Sequence, residues 1–148
     1  MAMLCEDEYP DLDINKVVKM CLIHDLGEAI TGDVPAFLKT EENEKNEEKA
    51  IQKLLFLLPD ETKETFSSLF AEMSALNTNE AKLFKALDNI EALISHNEAD
   101  ISTWLPNEYE LNLIYGDKNS EWSEWTRQLR KEVKEDSVKK INELVDKK

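Results

Sequence analysis

The chain has 148 residues, enough to bury one sizeable core and within the range of one domain, so 1–148 is read as a single unit. Hydrophobic residues make up 41% of it against 34% charged, which excludes a disordered chain, and the net charge of −14 excludes a non-specific hold on DNA or RNA, where clustered Lys and Arg are needed. No apolar run reaches the length of a bilayer span and no secretory signal opens the sequence, so a soluble, cytoplasmic protein with no membrane partner is expected.

Three glycines and four prolines are the only strong breakers, and the apolar residues between them recur every three or four positions, the pattern of helices. Met1–Glu8 reads as the end of a helix and Tyr9–Leu12 as a turn. Asp13 is a good N-cap for a helix that buries Val17, Val18, Cys21 and Leu22 and runs to about Thr31, where Gly32 ends it. Gly32–Pro35 is a connection. Thr40–Ala50 is polar on all faces and Ile51–Leu58 apolar, which predicts a helix that starts exposed and ends buried before Pro59. Asp60 is the expected cap of the next, with Phe66, Leu69, Phe70 and Met73 inward.

Thr78 begins a regular helix whose inward stripe is Leu83, Phe84, Leu87, Ile90, Leu93 and Ile94. Trp104–Gly116 is less regular. Ser120 is the expected cap of a final amphipathic helix bearing Trp122, Trp125, Leu129 and Val133, and the Lys-rich tail after Ser137 is expected to fray. Cys5 and Cys21 form no C-x-x-C pair and read as reduced thiols, Cys21 in the core.

The chemistry-bearing residues begin at His24 and Asp25, with Glu28 one helical turn on, so that all three line one end of a single predicted helix; Asp33 follows just past it. Neutral imidazole and carboxylate suit a divalent ion such as zinc, manganese, cobalt or iron, and ligands from two helices hold it rigidly. Such a site requires a distant carboxylate. Asp88 is the best candidate, because it stands in Lys85-Ala86-Leu87-Asp88-Asn89 beside an apolar stripe, where an unpaired carboxylate is costly. Each residue also has a plainer reading. His24 alone is more often a hydrogen-bonded core histidine, Glu28 a surface or capping residue and Asp33 a turn residue, while Asp88 pairs equally well with Lys85 across one turn. His96 receives no role.

As a set, these residues resemble a known family. Ile23-His24-Asp25-Leu26-Gly27-Glu28-Ala29-Ile30-Thr31-Gly32-Asp33 is similar to the second-motif segment of HD-domain hydrolases, in the branch of the bacterial 5′-deoxynucleotidases and their eukaryotic relatives. Glu80–Ala92, with Asp88 at its centre, is similar to the helix that supplies the last metal ligand there. The likeness implies an all-α HD-domain bundle of about six helices. The family pattern is histidine, histidine-aspartate, aspartate, and its first histidine falls about two helical turns before the position of Met1, so the first helix or part of it is expected to be missing.

The resemblance further implies one divalent metal ion (manganese, cobalt, zinc, iron or magnesium) on His24, Asp25 and Asp88, and hydrolysis of a small phosphorylated substrate, a nucleoside 5′-monophosphate. Glu28 is the candidate for proton transfer and Asp33 for orienting the nucleophile or a sugar hydroxyl, roles that are interchangeable at this stage; Lys85 is either a phosphate contact or a solvated lysine. The alternative is a non-catalytic helical regulatory or interaction domain on the same scaffold, favoured by the absent first ligand. Activity on nucleoside triphosphates or cyclic dinucleotides is a lesser alternative. A homodimer through the face left by the opening segment, together with Trp122 and Trp125, is also expected.

Overall fold

Eight α-helices follow one another in the computed structural model, which describes residues 1–35 and 38–145; no strand occurs among them. A 3-10 turn, Ala2–Cys5, precedes α1 (Ile14–Ile23), α2 (Glu28–Thr31), α3 (Glu41–Phe56), α4 (Asp60–Ala75) and α5 (Asn79–Glu98). A second 3-10 turn, Ile101–Thr103, leads to α6 (Glu108–Ile114), α7 (Asp117–Ser120) and α8 (Glu124–Val145). Six of these helices have seven or more residues, as an all-α bundle of the expected size requires.

Most starts lie where the capping residues put them. The Asp13 carboxylate accepts the Lys16 N–H at 3.0 Å, and the Thr78 hydroxyl accepts the Ala81 N–H at 3.2 Å. Thr40 and Asn43 form a reciprocal capping box ahead of α3. Two starts differ from expectation. Pro59, whose fixed φ suits the approach to a helix, occupies the N-cap of α4, so Asp60 is its first residue. Ser123, not Ser120, receives the Thr126 N–H at 3.2 Å and opens α8, because Ser120 ends α7 with its hydroxyl donating to the Gly116 carbonyl at 3.0 Å. The Lys-rich segment stays helical to Val145; fraying beyond that point lies outside the described residues.

The largest departure is in the first long helix, which stops at Ile23. Residues 24–27 form turns closed by bonds such as Leu26 N–H to Ile23 O at 3.0 Å and Glu28 N–H to Asp25 O at 2.9 Å, before α2 resumes. Packing is the cause. Gly27 lies so near α3 that a Cβ there would stand 2.5 Å from Glu47 Cγ and 3.1 Å from the Glu47 carbonyl oxygen. The chain bends to bring this glycine against α3, and local sequence cannot foresee it.

Two apolar clusters form the core. The larger joins Val17, Met20 and Ile23 of α1, Leu69 and Met73 of α4, and Ala81, Leu83, Phe84 and Leu87 of α5; the smaller joins Ile90 and Leu93 of α5 to Val133 of α8. The inward stripe of α5 thus serves both, and α5 packs against α1, α4, α7 and α8. The end of α3 is less buried than expected, with Phe56 and Leu57 78% and 77% exposed and the Lys63 ammonium 5.8 Å from the Phe56 ring centre. Trp122 and Trp125 lie against Tyr9, with ring centres 5.4 and 6.0 Å away. Among the described residues no helix is long and apolar enough to cross a membrane.

Candidate metal centre

The break after α1 turns the His24 side chain toward α5. His24 is the C-cap of α1, its N–H still bonded to the Met20 carbonyl at 3.0 Å. Its ring Nδ1 lies 2.9 Å from the Cys21 carbonyl oxygen. A carbonyl only accepts, so Nδ1 carries hydrogen and donates, and Nε2 is the atom presented to the site. Phe84 meets the ring edge to face at 5.4 Å and restricts its rotation.

Nε2 faces two carboxylates, Asp25 Oδ2 at 3.0 Å and Asp88 Oδ1 at 3.3 Å. Carboxylate oxygens only accept as well, so this cluster requires a positive charge at its centre, either a proton on Nε2 or a bound cation. Burial by itself would lower the His24 pKa, but the hydrogen bonds and charges of Asp25 and Asp88 prevail and raise it to about 10. Asp88 is the complement. Burial pushes its carboxyl up, while the His24 hydrogen bond and the Lys85 ammonium pull it down to about 2. Its Oδ2 accepts from Lys85 Nζ at 2.8 Å while Oδ1 faces His24, so the pairing with Lys85 and the facing of His24 use separate oxygens.

Glu28 stands one turn from this cluster and bonds Lys39 Nζ at 3.3 Å; Lys39 in turn reaches Glu47 Oε2 of α3 at 2.6 Å. Burial and the nearby charge of Asp25 raise the Glu28 pKa, with Lys39 opposing the rise. Asp33 is exposed, past Gly32 at φ 80°; its charge also acts on Glu28, but among the described residues no hydrogen bond joins it to the cluster. The structure therefore brings together His24, Asp25, Asp88 and Lys85, keeps Glu28 alongside and leaves Asp33 at the rim.

Lys39 and Glu47 were invisible in the sequence, where they belong to an undifferentiated charged stretch; only the close approach at Gly27 selects them. They also line a groove of about 350 Å³ between Ile30–Val34 and α3. Among the described residues no three His, Cys, Asp or Glu side chains form a ready-made cage.

Residues 1–130 match the family model described as HD domain. The chain is 34% identical over 100 residues to the 5′-deoxynucleotidase HDDC2 of Bos taurus, covering 66% of this chain and 48% of that protein. It is 38% identical over 96 residues to the Xenopus laevis protein of that name, covering 64% and 47%, and 34% identical over 89 residues to a 5′-deoxynucleotidase of Shewanella oneidensis, covering 56% and 45%. The matched stretch thus spans about half the length of these relatives. The crystal structure of a predicted metal-dependent phosphohydrolase from Magnetospirillum magnetotacticum superposes with a TM-score of 0.75 at 27% identity, covering 95% of this chain and 72% of that one. With the family model spanning most of its length, the chain belongs to the HD-domain family.

Proposed function

We propose that this protein is a metal-dependent phosphomonoesterase that cleaves nucleoside 5′-monophosphates to nucleoside and phosphate, with one divalent ion held by His24, Asp25 and Asp88. The observation that carries the reading is the His24 ring, whose Nδ1 is committed to the Cys21 carbonyl while Nε2 faces two carboxylates. The donor types, one imidazole nitrogen and two carboxylates, suit such an ion. Two ligand atoms each about 2.1 Å from one metal stand roughly 3.0 to 3.4 Å apart in octahedral or tetrahedral geometry, and the two contacts of Nε2 fall in that range. An ion bound there supplies Lewis acidity toward a phosphate oxygen and makes water a stronger acid.

The chain's own groups supply the rest. Asp88 keeps Oδ2 on Lys85 while Oδ1 serves the centre, which fixes the carboxylate. Glu28, with its raised pKa, is placed to hold or release a proton beside the cluster, and Lys39 limits that rise and orients it. We assign Asp33, at the rim, to a sugar hydroxyl or the incoming water, and Lys85 to a phosphate oxygen. The groove beside Lys39 offers room for the nucleoside.

The relatives' name is the ground for preferring nucleotides over other phosphate esters. We read 1–148 as one unit, since α5 contributes to both clusters, and place it in the cytoplasm, which suits the unpaired Cys5 and Cys21. The charge of −14 supports a reading without nucleic-acid or membrane partners. For a homodimer, Trp122 is already stacked on Tyr9 and Trp125 meets it edge-on, and the apolar surface that would serve it is Met3, Leu4 and Leu22, 77%, 81% and 75% exposed, the last against the burial expected of it.

The test pairs elemental analysis with phosphate release from a panel of nucleoside 5′-monophosphates, for the protein and for Asp88→Asn. Bound metal and turnover in the first, and neither in the folded variant, is the expected result; turnover retained without Asp88 sinks the assignment. No metal and no turnover in the unaltered protein would overturn this reading and favour the second, a regulatory domain on this scaffold.

A further inference from the structure

Helix α3 grips the segment after α1 at two adjacent residues. At Gly27 the grip is steric: a Cβ there would lie 2.5 Å from Glu47 Cγ, 3.1 Å from the Glu47 carbonyl oxygen and 3.1 Å from Ile51 Cγ1, so the glycine backbone rests directly on the stem of Glu47. At Glu28, the next residue, the grip is ionic. Lys39 Nζ lies 2.6 Å from Glu47 Oε2 and 3.3 Å from Glu28 Oε1, and one ammonium has donors enough for both carboxylates. Packing and bridge thus close a ring, Gly27 to Glu47 to Lys39 to Glu28, whose two ends are neighbours in the chain.

The ring has a direction. The shorter contact of the ammonium is to Glu47, which is itself fixed because its Cγ is packed against Gly27; Glu47 is therefore the anchor and Glu28 the group that is steadied. Their side chains are 15% and 18% exposed, so solvent screens the bridge far less than a surface pair. Among the described residues Lys39 is the hydrogen-bond partner of the Glu28 carboxylate, at Oε1, and Oε2 has none. A proton-transfer group acts only when its oxygen is within hydrogen-bond reach of the proton it moves, and a misplacement of about 1 Å costs on the order of a hundredfold in rate. A lysine alone, with its long flexible stem, would hold a carboxylate loosely; tied to Glu47 it becomes a rigid strut.

We propose that Glu47 is a positioning residue for the reaction: through Lys39 it holds the Glu28 carboxylate by Oε1 and leaves Oε2 available for proton transfer. The assignment rests on the phosphomonoesterase reading and on the place of Glu28 in it.

The experiment compares the metal-loaded protein with Glu47→Gln, Lys39→Met and the double variant in steady-state phosphate release from nucleoside 5′-monophosphates, with metal content and melting temperature measured for each. Glutamine keeps the shape of Glu47 and removes the charge that anchors Lys39. Glu47→Gln should lower kcat about tenfold with KM and metal content unchanged, Lys39→Met should lower it at least as far, and the double variant should be no slower than Lys39→Met alone, because Glu47 acts through Lys39. Unchanged kcat in Glu47→Gln, a loss that tracks metal content or melting temperature, or losses that multiply in the double variant would each overturn the assignment while the phosphomonoesterase reading stands. No turnover in the unaltered protein would overturn that reading, and this assignment with it.

Discussion

His24 Nε2 and Asp88 Oδ1 stand 3.3 Å apart, although one belongs to the end of α1 and the other to the middle of α5. With Nδ1 committed to Cys21, this contact persists in the metal-free protein only while Nε2 carries a proton. A metal ion must displace that proton. With the His24 pKa at about 10, binding at pH 7 should release close to one proton, and affinity should rise with pH up to that value. Calorimetry in two buffers of different ionisation heat measures the number; a value near zero would contradict the cluster as described.

The same ring governs the stability of the metal-free protein. Its folded pKa is raised from 6.5 to about 10, so its contribution is fully present below pH 6.5 and disappears as pH rises through 10. Thermal unfolding in chelator should therefore show a melting temperature that falls across this alkaline window, and His24→Gln should flatten the fall.

Acid acts on a different pair. Glu72 accepts from Lys16 at 2.8 Å and from Thr78, and although its burial opposes the shift, these partners lower its pKa below 4.5. A lowered carboxylate contributes stability that is present above its unfolded pKa and is lost as pH falls through the folded value. Glu72→Gln should cost about 1 kcal/mol at pH 7, and the difference should shrink as pH falls and the carboxylate becomes protonated in the folded protein too, as read from denaturant midpoints.

Gly27 and Gly116 should fail for different reasons when changed to Ala. At Gly27 the backbone is ordinary, with φ −60°, and only space is lacking, so Gly27→Ala should cost about 1–3 kcal/mol and disturb the Lys39–Glu47 pair. At Gly116 a left-handed φ adds to the clash with Asn89, and the loss should be larger. Equal melting temperatures for the two variants would refute this distinction.

Much of the scaffold was legible because it is written locally. The Asp13 and Thr78 caps and the apolar stripe of α5 are short-range signals, and they place His24 and Asp88 on helices that must pack. What escaped is long-range. Nothing in residues 24–27 announces that Glu47 will press on Gly27 and interrupt the helix, or that Lys39, on the far side of a proline, will reach Glu28. The approach of Tyr115 to α5 escaped for the same reason, since the Gly116 turn, the Asn89 amide and the smaller apolar cluster bring it there from a separate segment. Apolar character alone gave Phe56 and Leu57 a buried role, whereas at that end of α3 only Leu55 is turned into the core.

Asp88 stands between Leu87, which belongs to the larger apolar cluster, and Ile90, which belongs to the smaller. An opening around it disturbs both clusters, so backbone amides around Asp88 should exchange with solvent as slowly as any in the molecule. His24, Asp25 and Glu28 occupy a turn and a helix of four residues, whose amides need only a local fluctuation. A metal ion held there would therefore have Asp88, on the better-buried element, as the anchor of its ligand set.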